Sequence, residues 1–399
     1  MNSMSEKKPP QEPSAGDANA PARTLKELLG LAANPRNGDL PQEDAGIAEV
    51  LPFPFLALVG QQEMKLALLL AVINPAVGGV LLVGPRGTGK TTAVRSLVDL
   101  LPDVERSACH YGCLPEDIES GGMDAVCPEC ARKYGEGRPL TRTDRVRLVE
   151  LPLNARLEDV IGGLDELAAV HDRMRLKRGI LSAADRNILY IDEVNLLKDE
   201  IADAILDAAA QGSYTVRRGP VAATYRAGFV LTGSMNPEEG RLRPQMMDRF
   251  GLRVVVRGLE DEAERMEAYR RVRAYRENPR QVINDYAQAT SFARQEIQTA
   301  RALLPQVTLP DVVAQAGIAL IQRMKIASLR AELTLLESAR ALAAADNRAV
   351  VRMDDLHAVA PIALRMRRSD FMTRFFEVQA AEDGELNDAL RAADLESQE

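Results

Sequence analysis

The sequence predicts an α/β chain: a parallel, doubly wound sheet followed by an all-α domain. Short apolar runs alternate with segments of helical periodicity between about Phe53 and Val256, the order that joins parallel strands through crossover helices. One of those runs leads into a glycine-rich loop and then a helix. From Glu260 onward no segment reads as a strand, and the pattern becomes helical.

The glycine-rich loop is the most informative element. Gly79-Val80-Leu81-Leu82-Val83 reads as a buried strand, and Thr92 to Val98 has helical periodicity. Between them, Gly84-Pro85-Arg86-Gly87-Thr88-Gly89-Lys90-Thr91 matches G-x-x-x-x-G-K-[ST], a loop whose backbone can wrap a phosphate chain. The helix N-terminus behind it offers free N–H groups, including that of Thr92, and a positive dipole end. Lys90 can reach the outer phosphates, and the Thr91 hydroxyl can bind Mg²⁺. A chance glycine turn would not need a strand before it and a helix after it. A second run, Asn187-Ile188-Leu189-Tyr190-Ile191-Asp192-Glu193, ends in two acids. Alone, such a pair is often a solvated strand end. Behind a phosphate loop, Asp192 would hold Mg²⁺ and Glu193 would polarise the attacking water, which predicts ATP and Mg²⁺ as cofactors.

The remaining elements follow in order. Glu63 to Ile73 reads as a helix, Val146 to Leu151 as a strand, and Leu157 to Leu164 and Glu166 to Met174 as short helices or turns. Ile201 to Gln211 is a helix. Ser213 to Val221 and Ala223 to Phe229 form a hairpin around Gly219-Pro220. Phe229 to Gly233 and Arg253 to Val256 complete the strands. The domain plan is an extension over 1–48, disordered apart from a short helix near Thr24 to Ala32, and a nucleotide-binding domain over 49–258. That domain carries an irregular insertion at 107–145 and the hairpin insertion at 213–228. A helical linker over 259–299, an α-helical lid over 300–370 and an acidic tail over 371–399 follow.

Composition narrows the class. The 399 residues carry a formal charge of −8, which disfavours a protein whose main task is to coat nucleic acid. A hydrophobic content of 46% allows a large core, and 4% aromatics with no Trp suits an Ala/Leu/Arg-rich helical protein. No apolar run is long enough to span a membrane. The N-terminus has no apolar signal-peptide core, and its Glu6, Glu12 and Asp17 argue against a transit peptide, so a cytoplasmic location is expected.

Three further residues could complete the site. Asn236 ends a strand, where an amide can hold a water near the terminal phosphate, although Asn236-Pro237 also suits a turn. Arg249 ends a short helix in Arg243-Pro244-Gln245-Met246-Met247-Asp248-Arg249-Phe250-Gly251, and Arg330 opens a lid helix from which it could reach back to the phosphates. With 50 Lys and Arg in the chain, most arginines are solvated surface; the order and spacing of these two behind the phosphate loop set them apart.

Together these strings resemble the ATPase subunit I of magnesium chelatase, in the AAA+ superfamily. The resemblance runs from about Phe53 to Arg368 and includes Phe53 to Gln61, Val149 to Ala155, Ile161 to Asp165, Gly179 to Leu181, Ile188 to Leu197 and Asn236 to Gly240. It implies Asn236 as the sensor on the sheet, Arg249 as a finger acting on a neighbour's nucleotide, and Arg330 as the lid sensor. It places Val59-Gly60-Gln61 beside the adenine. It also implies a homo-oligomeric ring, usually hexameric, with two partners: a second AAA+ subunit bearing an integrin-like domain, and a large porphyrin-binding subunit that inserts Mg²⁺ into protoporphyrin IX. The D-x-S-x-S signature of the integrin-like domain is absent. Pro85 stands where many members have an acid. The related ATPases of cobalt chelatases, MoxR-type chaperones and helicase relatives remain alternatives.

All four cysteines, Cys109, Cys113, Cys127 and Cys130, fall in the insertion as C-x3-C-x13-C-x2-C. Two close pairs suit tetrahedral Zn²⁺ or an iron–sulfur cluster, with His110 as a substitute ligand. Redox-active or free thiols are the alternative reading.

Overall fold

The computed structural model describes residues 51–109, 111–164, 176–219, 221–369 and parts of 371–386. The N-terminal extension, His110, Glu166 to Met174, Pro220 and the end of the tail lie outside the described residues.

Helix α1 (Gln62–Ile73) precedes β1 (Val80–Val83), and the glycine loop joins β1 to α2 (Lys90–Leu97). The insertion holds β2 (Val104–Ser107), α3 (Pro115–Gly121), α4 (Pro128–Gly135) and β3 (Thr141–Asp144). After β4 (Leu148–Glu150) come a short helix at Leu157–Ile161 and the pair β5 (Gly162–Leu164) and β6 (Leu176–Arg178). Next are β7 (Ile188–Ile191), α5 (Asp199–Gln211), the hairpin β8 (Ser213–Arg218) and β9 (Val221–Arg226), β10 (Val230–Met235), α6 (Pro244–Arg249) and β11 (Leu252–Val255). The helical part comprises α7 (Glu262–Glu277), α8 (Pro279–Leu303), α9 (Asp311–Arg323), α10 (Leu329–Ala345) and α11 (Met353–Leu364).

Five strands form one parallel sheet in the order β11-β1-β10-β7-β4. Every residue of β1 and β7 is buried, as expected of parallel strands covered on both faces. Alternate residues of β1 serve different layers. Val80 and Leu82 join α1 and the C-terminal helices, while Leu81 and Val83 join α5 and α6. Nine of the twelve residues of α1 are buried, which makes it a core helix rather than an amphipathic surface one. β1 is an inner strand between β11 and β10, yet the next sheet strand along the chain, β4, lies at the far edge. A reversal of this kind opens a crevice at the carboxyl ends of the strands.

The structure departs from expectation in three places. Gly162–Leu164 is a strand paired antiparallel with Leu176–Arg178; a pairing this distant leaves no local trace, and its glycines read as a turn. The insertion is not irregular, because β2 and β3 pair antiparallel and flank two helices. The helical segment does not keep a separate core. Leu335, Leu342 and Val359 belong to the same buried cluster as α1 and β11, and α8 runs unbroken past residue 300.

Candidate nucleotide-binding site

The glycine loop sits at the carboxyl end of β1. Gly89 has φ +85° and caps α2 from the left-handed region, a conformation that glycine adopts without penalty. Lys90 Nζ crosses the loop, donating to Gly84 O at 2.8 Å and Pro85 O at 2.7 Å. Burial lowers the Lys90 pKa, and Asp192 and Glu239 pull it back up. A cleft of about 320 Å³ brings Lys90, Thr91 and Thr92 opposite Asp192, Glu193 and Asn236. Six residues of three segments, far apart in sequence, thus meet with Arg86 at the mouth.

The acids are organised by a hydroxyl cluster. Tyr190 Oη lies 3.0 Å from Asp192 Oδ1, 3.0 Å from Thr91 Oγ1 and 3.2 Å from Ser234 Oγ. Burial pushes the Tyr190 phenol up to about 12, so it stays a donor. Ser234 Oγ also donates to Asp192 and accepts from the Glu193 amide at 3.4 Å. Thr91 and Asp192 are hard oxygen donors, the set that Mg²⁺ prefers. Glu193 sits at φ +51°, and its carboxylate meets Arg86 at 3.2 Å. Arg86 also pairs with Glu239 at 2.6 Å. Asn236 Nδ2 donates to Glu238 at 3.3 Å and Glu239 at 3.2 Å. Two polar groups nearby lack a protein partner: Glu239 Oε2 and the whole amide of Asn195. Buried polar atoms are normally satisfied, so these are available to a polar ligand or water.

A second cavity of about 710 Å³ opens beside the loop, sharing Gly87, Thr88, Gly89 and Thr92 with the cleft. Phe53, Leu58, Val59, Met64 and Val272 give it apolar walls, and Gln61 and Arg276 line it as well. Its position next to the phosphate loop suits a nucleoside. Gly60 behind it has φ +61°, a left-handed conformation that favours glycine. Gln61 Nε2 donates to Arg257 O at 2.6 Å, tying this stretch to the end of β11.

Arg249 and Arg330 are elsewhere. Both line a third cavity with Gly78, Gly79, Val230 and Leu231, at the amino-terminal ends of β1 and β10. A strand rises about 3.3 Å per residue, so the length of β1 separates them from the phosphate loop of their own chain. Arg249 lies 3.7 Å from Asp207, and Arg330 lies 3.4 Å from Asp248. Arg330 does not reach back to the phosphates as the sequence suggested. α10 packs against Pro75–Val77, with Thr334 Oγ1 donating to Val77 O, and this holds its first turn at the far end of the sheet.

Sequence reasoning missed Tyr190, Ser234, Glu239 and Asn195. Tyr190 and Ser234 each lie two residues before a named site residue on the same strand, hence on the same face. Strand alternation could have found them.

Comparison with known proteins agrees with this geometry. The model described as AAA domain matches residues 77–234, and the model described as AAA lid domain matches 315–388. The chain is 43% identical over 317 residues to the magnesium-chelatase 38 kDa subunit of Acidiphilium rubrum, covering 79% of this chain and 90% of the relative. It is 42% identical over 323 residues to the magnesium-chelatase subunit ChlI homolog of Methanocaldococcus jannaschii, covering 80% and 87%. It is also 40% identical to a chain in the cryo-EM-based complex of subunits BchI and BchD of magnesium chelatase, covering 80% and 97%, at a TM-score of 0.45. A parallel sheet with an ATP and Mg²⁺ site, a helical lid and this degree of identity have one reading: the chain belongs to the magnesium-chelatase subunit I family of AAA+ ATPases.

Proposed function

We propose that this chain is the ATPase motor subunit of magnesium chelatase, hydrolysing ATP so that a partner subunit inserts Mg²⁺ into protoporphyrin IX. The observation that carries it is the cleft itself, Lys90 and Thr91 facing Asp192 and Glu193, in a chain 43% identical to a magnesium-chelatase subunit over 90% of that subunit's length.

The nucleoside enters the cavity beside Val59 and Gln61, and the backbone from Gly84 to Thr92 wraps the phosphates. Lys90 leaves the loop carbonyls for the outer phosphates. Thr91 and Asp192 would hold Mg²⁺, which would supply positive charge to the phosphate oxygens. Glu193 orients the attacking water, and Asn236 fixes it from the neighbouring strand. Arg86, between Glu193 and Glu239, holds the base in place before the nucleotide arrives.

Charge that develops on the transferred phosphoryl group calls for a cation. Arg249 and Arg330 stand at the opposite end of the sheet, so they act on the nucleotide of an adjacent subunit, within a ring that is most simply hexameric. A second AAA+ subunit with an integrin-like domain and a large porphyrin-binding subunit complete the enzyme. Phosphoryl transfer calls for ATP and Mg²⁺; Zn²⁺ or an iron–sulfur cluster has no part in it. Among the described residues no helix is long and apolar enough to cross a membrane.

Reconstitution tests this. The chain, candidate partner subunits, protoporphyrin IX, Mg²⁺ and ATP are mixed and porphyrin absorbance is followed. ATP-dependent formation of the magnesium porphyrin is expected. Insertion of Co²⁺ into a corrinoid ring, or ATPase activity stimulated only by an unrelated protein client, would replace the reading with a cobalt chelatase or a MoxR-type chaperone.

A further inference from the structure

The insertion between β2 and β3 has too little core to hold its own shape. Among the described residues its buried side chains are Cys113, Leu114, Cys130 and Leu140, and α3 buries none of its residues. Segments this poor in core ordinarily need a covalent or metal cross-link. The four cysteines supply the means. Their sulfurs all lie within 4.8 Å of one another, with Cys109 Sγ 3.7 Å from Cys113 Sγ and 3.6 Å from Cys127 Sγ.

Those separations discriminate among the chemistries that four cysteines permit. A disulfide places its sulfurs about 2.05 Å apart, and the four are unbridged. A multi-iron cluster seats several irons and sulfides between its ligands, which would hold the thiolates further apart than this. A single tetrahedral ion with metal–sulfur bonds of about 2.3 Å requires sulfur–sulfur edges of about 3.8 Å, close to those observed. Backbone amides aim at the sulfurs as well: Tyr111 N donates to Cys109 Sγ at 3.2 Å and Cys127 N to Cys113 Sγ at 3.4 Å. Such donors offset thiolate charge around a metal. Cys127 and Cys130 stand at the N-cap and in the first turn of α4, where the helix dipole favours negative charge.

We propose that Cys109, Cys113, Cys127 and Cys130 bind one Zn²⁺ as four thiolates, and that this ion fastens the insertion against the β8–β9 hairpin. The contacts to the hairpin leave from the segment between the ligands. Tyr111 stacks on Tyr225 with ring centroids 6.5 Å apart, and Asp117 pairs with Arg226. Glu116 lies 3.4 Å from Arg186, just before β7. Tyr225 in turn packs with Val216 and Leu176 in a small buried cluster. The hairpin is therefore braced from outside by a segment closed at its base by the β2–β3 pair and tied together beyond it by the metal. All four thiolates are taken up by the ion, so it has no open position and serves no catalytic role. This inference does not rest on the ATPase reading.

The test uses the full chain purified under reducing conditions. Elemental analysis is expected to find one zinc per chain, released when a mercurial blocks the four thiols. Co²⁺ added to the metal-stripped chain should give the visible spectrum of a tetrahedral tetrathiolate site, displaced by Zn²⁺. Cys113→Ser combined with Cys130→Ser should lose the zinc. In that variant, amide exchange over 213–226 should quicken by about tenfold or more, while ATP affinity stays within about twofold, as for distant sites. Unchanged ATP affinity separates local loosening from a failure to fold. Four free thiols in protein offered Zn²⁺, iron with acid-labile sulfide, or a pair of disulfides would each overturn the site. Zinc whose removal leaves hairpin exchange unchanged would overturn the bracing.

Discussion

The two ends of the parallel sheet are built on opposite principles. At the carboxyl ends, one loop, two acids and an amide converge on a cleft. At the amino-terminal ends, Asp248 is surrounded by Arg253, Arg330 and Arg367 at 3.4–3.8 Å. Two of these arginines are structural. Arg253 is buried and donates to Met247 O and Met366 O, and Arg367 donates to Gly251 O; together they stitch the lid to the sheet. Arg249 and Arg330 are different, since each meets only a partly exposed acid at 3.7 and 3.4 Å. Pairs of that kind contribute about 0–1 kcal/mol and are easily exchanged for a phosphate. On the function proposed above, the difference teaches that one chain holds the binding half of a catalytic centre at one end and the charge-stabilising half at the other.

The sharpest way to break this comparison is to disable the two ends in separate chains. Arg249→Ala should bind ATP almost normally yet hydrolyse it about 10³–10⁵-fold more slowly, the range for arginine fingers. Co-assembled with Lys90→Ala, it should regain ATPase activity, because an intact Arg249 then stands beside an intact loop. Mixtures that stay inactive after proven co-assembly would place Arg249 in its own subunit's chemistry or in structure alone. Next in size, Glu193→Gln should retain Mg-ATP and lose about 10²–10⁴ in turnover; near-native turnover would remove the base from the cleft. Lys90→Ala should weaken ATP binding by about 10–100-fold, the scale of a lost charged hydrogen bond, and calorimetry that finds unaltered affinity would defeat the phosphate-loop assignment.

The smallest effect concerns the buried cation on the nucleotide side. Lys65 donates to Leu58 O at 2.6 Å, and burial, then Arg271, lower its pKa from 10.5 to about 8. The unfolded chain holds that proton more tightly, so this group makes stability rise with pH between about 8 and 10.5. Lys65→Met should flatten that rise in urea denaturation at pH 8 and pH 10, and an unchanged slope would contradict it. Arg253, at the other end, is held down to about 10 by burial, at the upper end of this window.

The two ends were not equally legible. Gly84 to Thr91 is contiguous and states its chemistry in eight residues, and the strands around it announced themselves by apolar runs that the sheet then used within about two residues. The position of Arg330 was not readable, because it depends on how α10 lies against Pro75–Val77, a contact between segments more than two hundred residues apart. The same holds for Tyr190, whose hydroxyl matters only once β10 brings Ser234 alongside. Local chemistry is written locally; orientation between elements is settled by packing.

The placement of Arg249 and Arg330 at the end of β1 remote from Gly84 has a consequence for symmetry. An isologous, two-fold contact presents the same patch from both partners. On the function proposed above, the complementary patches lie on opposite ends of the molecule, so a dimer about a two-fold axis would join like to like and leave both reactions incomplete. Only a heterologous, head-to-tail contact joins unlike ends. Such a contact gives the assembly a polarity. In the proposed ring, each subunit would sense the nucleotide of one neighbour and be sensed by the other, so the order in which sites fire could acquire a direction.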